Sequence, residues 1–220
     1  MDDETVSSLI RSITTRLSSV GIEDSGIDTR LLVRHAFGWS AEQQLGRLTD
    51  PAPAKQLELL ETLVSRRAGR EPLQYITGST EFYRRRFAVD PRVLIPRPET
   101  EQIVVQANEF VRERGIETPR VADICTGSGA VAISLALEMT AAEVVATDIS
   151  PNSLIVIRKR YAEYQQKLIV QVADMEKLPF NKNYFDIVTC AGSLSYGDND
   201  LVMNEIFRVL KPGGIFISVD

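Results

Sequence analysis

Beyond Arg120 the chain alternates short β-branched runs with helical ones, and this alternation restricts the folds open to it. Extended segments are expected at 120–124, 143–147, 168–172, 185–190 and 215–219. Between them, 130–139, 151–164 and 199–209 carry apolar residues at helical spacing. A βαβ series of this kind implies a parallel sheet covered on both faces.

The first 70 residues have a different rhythm. Val6, Leu9, Ile10, Ile13 and Leu17 share one face of a helix over 4–18. Asp28 is expected to cap a second helix containing Leu31, Leu32 and Val33, and Trp39 and Leu45 continue the apolar surface. A third helix runs from about Ala54 to Ala68 with Leu57, Leu60, Leu63 and Val64 inward, and Gly69 stops it. Residues 1–70 therefore read as a small helical bundle. Residues 71–98, broken by Gly78, Pro91, Pro96 and Pro98, read as an extended or hairpin connector. From Glu99 to Arg114 a helical pattern resumes, and 99–220 form the sheet domain.

Composition narrows the class. The chain has 220 residues and a formal net charge of -5, which does not suit a general nucleic-acid binder, and no direct sequence-specific nucleic-acid binding is expected. Residues 1–100 hold 14 basic and 14 acidic side chains, and 101–220 hold 11 and 16, so the two halves are expected to face different partners. Cys125 and Cys190 lie in apolar surroundings and read as reduced thiols, which suits the cytoplasm. A single histidine, His35, cannot form a metal cluster and reads as a bundle residue. No apolar run reaches the length of a membrane span, and the acidic amino terminus has no hydrophobic signal segment.

The chemistry concentrates around ADICTGSGAVA, residues 122–132. Gly127 and Gly129 fall between a strand and a helix, where glycine permits a tight turn and close approach of a ligand to the backbone. Amides at the helix start favour a carboxylate or phosphate. Asp148, at the end of the second strand, can accept hydrogen bonds from both hydroxyls of a ribose. Asp174 can accept from the exocyclic amine of adenine, and Asp123 can face an amino group across the loop. The combination indicates a nucleoside-containing cofactor at the carboxyl ends of the strands. Gly127-x-Gly129-x-x-Ala132 also fits a nicotinamide dinucleotide pattern, so an oxidoreductase remains open at this point.

Five blocks carry a resemblance. VADICTGSG (121–129), VVATDIS (144–150), VADMEKLPF (172–180), YFDIVTC (184–190) and FRVLKPGGIFISV (207–219) resemble, in that order, the class I methyltransferases that use S-adenosylmethionine. The resemblance implies a Rossmann-like α/β fold. It places Cys125, Thr126, Gly127, Ser128 and Gly129 against the methionine moiety, with Asp123 orienting its amino group. It places Asp148 on the ribose, with Ile149 beside it, and Asp174 and Met175 beside adenine. REPLQYITGSTEFY (70–83) and LIPRPETE (94–101) are similar to the release-factor glutamine N5-methyltransferases, over roughly residues 5–165. That family joins a small helical domain to a methyltransferase domain. It implies a peptide chain release factor as partner, recognised with help from the helical domain. It also places Arg97 and Glu99 near the cleft.

Two features depart from that family. Its Asn-Pro-Pro-Tyr motif after the fourth strand of the sheet is replaced by CAGSLSY (190–196), which leaves Cys190, Ala191, Gly192 and Ser193 at the acceptor side. An amide nitrogen is a poor nucleophile, so impaired transfer to glutamine is expected. From about residue 168 the wording is closer to small-molecule methyltransferases of the quinone type, and a non-enzymatic protein-binding module is a further reading. The fold is also expected to lack the last strands, leaving an open sheet edge. No general base stands out. Arg84, Arg85 and Arg86 form a basic patch that reads as a solvated hairpin face.

Overall fold

The computed structural model describes residues 4–160 and 168–219, with side chains described through Arg158 in the helix that ends the first stretch. The chain divides into two compact units, Met1–Gly78 and Ser79–Asp220. No described helix is long and apolar enough to cross a membrane.

The first unit contains α1 (Val6–Ser19), α2 (Ser25–Phe37), α3 (Ala41–Gly46), α4 (Leu57–Ala68) and α5 (Leu73–Thr77). Local signals set the helix starts. The Thr5 hydroxyl accepts from the Ser8 amide, and Ser40 and Gln43 form a reciprocal capping box. Leu17, Leu32, Val33, Leu60, Leu63, Val64 and Ile76 are buried together. Removing these apolar faces from water drives the association of helices too short to persist alone.

Three expectations change here. Asp28 does not cap α2, which begins at Ser25 after Asp24. It lies one turn inside, is 6% exposed, and takes the Arg67 guanidinium at 2.6 Å. Leu45 is 72% exposed and outside the core. Trp39 instead meets the Phe37 ring edge-on at 4.7 Å, with the Arg47 guanidinium 5.4 Å from its own ring. Within 71–98, Leu73–Thr77 is helical: Gly78 at φ +72° ends it in the left-handed region. His35 is exposed on α2.

The second unit opens with a hairpin of β1 (Ser79–Phe82) and β2 (Arg85–Ala88). Its turn residues Tyr83 and Arg84 have φ of +46° and +60°, and the Tyr83 amide donates to Glu101 Oε1 at 2.8 Å. Then come α6 (Glu101–Arg114), β3 (Arg120–Ile124), α7 (Ala130–Glu138), β4 (Glu143–Asp148) and α8 (Pro151–Arg160). They are followed by β5 (Leu168–Val172), β6 (Phe185–Ala191), α9 (Asn199–Val209) and β7 (Leu210–Val219). The last four residues of the helix expected over 151–164 lie outside the described residues.

Five parallel strands are ordered β5-β4-β3-β6-β7. The α/β architecture is therefore the Rossmann-like one expected. Residues of α6, α7 and α8 and the hairpin phenylalanines bury one face; α9 and Leu178 bury the other. Among the described residues β7 has one strand neighbour and forms an edge. The chain enters the sheet at its centre, builds outward to β5, then returns to β6 on the other side of β3. The connections after β3 and β6 thus diverge above the carboxyl ends of the strands, where open α/β sheets bind their ligands.

The buried Asp28–Arg67 pair gives a direct test. Asp28→Ala leaves Arg67 with an unpaired charge only 19% exposed in its side chain. The expected loss is about 3 kcal/mol in urea unfolding, whereas an equal midpoint and slope would show that the pair contributes nothing.

Candidate functional site

The loop after β3 is held from three sides. Thr126 donates its amide to the Thr147 carbonyl at 2.8 Å, and the Gly129 amide donates to the Thr126 carbonyl at 2.9 Å. The Gly127 amide donates to Asp148 Oδ2 at 2.9 Å, while Ser150 donates its amide to Oδ1 at 2.9 Å. Cys125, Gly127 and Gly129 all have positive φ, at +56°, +54° and +79°. Three alternate left-handed residues curl the loop tightly, and the two glycines do this without Cβ strain.

The glycines serve different ends. A Cβ on Gly129 would lie 2.9 Å from Ile157 Cγ1, so this glycine lets α8 close against the loop. A Cβ on Gly127 would meet nothing within 4 Å. The Gly127 backbone faces open space beside the half-buried Asp148 carboxylate. That carboxylate uses one lone pair on each oxygen for backbone amides and keeps others for incoming hydroxyls. Ile149, next after Asp148, is 66% exposed, and partly buried Met175 lies against Cys125 of the loop. An open backbone cradle, an acceptor pair and apolar walls fit a nucleoside cofactor.

Asp123 takes a different place from the one expected. It is 2% exposed, and its carboxylate faces inward rather than across the loop. Its Oδ2 accepts from the Thr126 hydroxyl at 2.5 Å and its Oδ1 from the Thr189 hydroxyl at 2.7 Å. Asp123 and Thr189 are register partners across β3 and β6. Burial pushes the Asp123 carboxyl up to about 6, with the hydroxyls of Thr126 and Thr189 and the Ala132 backbone pulling it back and the Asp148 charge adding to the rise.

The other residues are distributed unevenly. Asp174 is exposed, accepts from the Glu176 amide at 2.9 Å, and lies past the end of β5 next to Met175. Ser128 is buried within the loop. Cys190 is fully buried in the apolar layer with Ala122, Ile124 and Val188, so its side chain does not line the cleft. Alternation along β6 explains this: Thr189 and Cys190 point to opposite faces, both of them covered. Ala191 ends β6, and Gly192, at φ +61°, donates its amide to the Val219 carbonyl at 2.7 Å. The Ser193 hydroxyl donates to the Ala191 carbonyl at 3.2 Å. Arg97 and Glu99 are exposed around the turn that precedes α6. Exposed Leu94 reaches toward Gly192, where an added Cβ would stand 3.9 Å from its Cδ2.

Thr189 and Glu176 were not legible as site residues. Thr189 matters only because the strand order sets it beside Asp123, and no local pattern announces that. A separate cavity of about 550 Å³, lined by Tyr83, Asn108, Arg112, Glu138 and Thr140 among others, lies near the amino ends of β3 and β4, away from this loop. Among the described residues no cluster of His, Cys, Asp and Glu suits a metal ion.

Sheet order, glycine loop and Asp148 together define a class I methyltransferase domain, and residues 121–214 match the methyltransferase domain family. The cofactor of this class is S-adenosylmethionine, and the match does not favour the oxidoreductase or small-molecule readings. Residues 8–78 match the PrmC N-terminal domain, and the chain resembles the release factor glutamine methyltransferases. The release factor glutamine methyltransferase of Deinococcus radiodurans is 39% identical over 158 residues, covering 70% of this chain and 55% of that protein. The corresponding protein of Neisseria gonorrhoeae is 44% identical over 137 residues, covering 62% and 49%. The chain thus spans about half the length of these curated relatives. Haemonchus contortus phosphoethanolamine N-methyltransferase 2, solved in complex with S-adenosyl-L-methionine, overlaps 52% of this chain and 27% of its own at a TM-score of 0.45 and 30% identity. That overlap is partial, and the fold assignment stands on the sheet topology.

Two predictions follow from this geometry. Gly127→Ala is expected to lower stability by only about 1 kcal/mol, through backbone strain, while Gly129→Ala adds a collision with Ile157 and loses distinctly more. Equal losses in thermal unfolding would contradict the packing. The second concerns pH. Folded Asp123 keeps its proton up to a pH of about 6, against an ordinary value of 3.8. Its contribution to stability is complete below the ordinary value and is lost as pH rises through 6. Stability of the parent should therefore fall between pH 4 and 6 more steeply than that of Asp123→Asn, by about 2–3 kcal/mol over the interval. Parallel curves would refute it.

Proposed function

We propose that this chain binds S-adenosylmethionine along the carboxyl ends of β3, β4 and β5 and transfers methyl to a glutamine side chain of a peptide chain release factor, in the cytoplasm and at a reduced rate. The observation that carries the reading is the Gly127–Asp148 contact at the open cradle, joined to a PrmC N-terminal domain at residues 8–78.

When bound, the cofactor supplies an electrophilic methyl group on a sulfonium sulfur. The open space at Gly127 would receive its amino-acid end, and Asp148 would take the ribose hydroxyls. Ile149 and Met175 flank the base, with the Asp174 carboxylate at its edge. Asp123 acts through Thr126, holding the loop rather than touching the ligand. The loop after β6 faces the acceptor. Transfer to the acceptor nitrogen would break the methyl–sulfur bond, leave the electron pair on sulfur and release the nitrogen proton to solvent.

The acceptor side explains the reduced rate. An amide nitrogen shares its lone pair with its carbonyl, so transfer depends on hydrogen bonds that hold the amide in line. The stretch CAGSLSY at 190–196 contains no asparagine. Its first hydroxyl, on Ser193, already donates to the Ala191 carbonyl. Loss of such placement slows a reaction about 10²–10³-fold. The helical unit is proposed to contribute the recognition of the release factor.

Transfer from labelled S-adenosylmethionine to a release factor, with mass-spectrometric location of the methyl group, tests the assignment. The expected result is slow methylation of glutamine, with Asp148→Ala weakening cofactor binding by about 1–3 kcal/mol. Turnover at roughly 1 per second or faster would overturn the reduced rate, and methylation of small acceptors alone would overturn the substrate.

A further inference from the structure

The segment after β5 touches both sides of the site. The Met175 sulfur lies 3.4 Å from Cys125 Sγ, on the loop after β3. Its methyl group packs against Gly197, on the connection after β6, where an added Cβ would come within 2.6 Å of Met175 Cε. The next residue forms a second link: Glu176 Oε1 accepts the Asp198 amide at 2.7 Å. Asp198 in turn starts α9, accepting from the amides of Asp200 and Leu201. Glu176 also donates its own amide to Asp174 Oδ1 at 2.9 Å.

Strand order makes these links informative. β5 is at one edge of the sheet, and β6 lies beyond both β4 and β3. Two adjacent residues therefore join the connection after β6 to the surface around Asp174 and Cys125, although β5 and β6 are not neighbours. Gly197 has an extended backbone, φ −117° and ψ 175°, which any residue can adopt. Space for the Met175 methyl group and the Val202 side chain, rather than backbone conformation, accounts for a glycine there.

We propose that Met175 and Glu176 are positioning residues that couple cofactor binding to the ordering of the acceptor-side loop 194–198. The inference rests on the cofactor reading above. A ligand that fixes Asp174 and Met175 restricts Glu176, and through it Asp198 and the start of α9. The loop then loses less freedom when an acceptor arrives, so the two ligands bind with positive cooperativity, felt equally from either side.

Amide hydrogen exchange on the full chain, with and without saturating S-adenosylhomocysteine, reads this coupling directly. In the parent, exchange in 194–200 should slow about tenfold on binding, the factor one charge-assisted hydrogen bond can supply. Glu176→Ala should lose most of that slowing while amides 126–129 remain protected by the ligand. Glu176→Gln keeps an acceptor oxygen for the Asp198 amide and should restore it. Met175→Ala is a second disruption that leaves this hydrogen bond in place, and it should lower the slowing in part. Equal slowing in the parent, Glu176→Ala and Met175→Ala would overturn the coupling, as would a parent loop unaffected by bound ligand. Failure of S-adenosylhomocysteine to protect 126–129 in the parent would instead remove the cofactor reading, and this inference with it.

Discussion

A buried carboxylate at the centre of the sheet organises the site. Asp123 sits on the middle strand and accepts two hydroxyl hydrogen bonds, from Thr189 on β6 and from Thr126 on the glycine loop. Through Thr126 it orients the loop whose next amide, on Gly127, reaches Asp148 at the end of β4. One chain of contacts thus crosses three adjacent strands. Burying an acidic group is unfavourable unless it is hydrogen-bonded, and here the bonds that satisfy it also shape the loop. Nothing in that chain requires the carboxylate to meet a ligand.

Much of this architecture was legible because strand and helix periods differ. β3, β5 and α9 fall at the residues their patterns indicate, since each is bounded by glycine, proline or charge. β7 begins earlier than expected, at Leu210, because the ladder to β6 resumes across the Pro212–Gly213–Gly214 segment with a register shift near Phe185. Hydrophobicity could not say which way Asp123 or Cys190 points. In a parallel sheet both faces are covered, and alternation carries little contrast. Asp28 was misplaced for a related reason. An aspartate before an apolar run has the composition of a cap, and only the packing of α2 on α4 shows it paired with Arg67.

The two ends of the site differ in how far they follow the relatives. Around 121–150 the Gly127–Asp148 contact and the close packing of α8 on Gly129 leave open space beside a carboxylate, the arrangement on which the proposed nucleoside site rests. At the end of β6, Ala191, Gly192 and Ser193 offer no side-chain amide, and the Ser193 hydroxyl is committed to the Ala191 carbonyl. Placement of a weak nucleophile is the costly part of amide methylation, so the same scaffold can keep its cofactor while losing rate on its acceptor. Met175 and Glu176 connect these two ends, through the Cys125 sulfur and the Asp198 amide.

Calorimetric titration of the chain with S-adenosylhomocysteine, and separately with a nicotinamide dinucleotide, tests the central claim most directly. The account predicts saturable binding of S-adenosylhomocysteine at one site per chain, weakened by Asp148→Ala, and no heat from the dinucleotide. Saturable dinucleotide binding without any response to S-adenosylhomocysteine would contradict it.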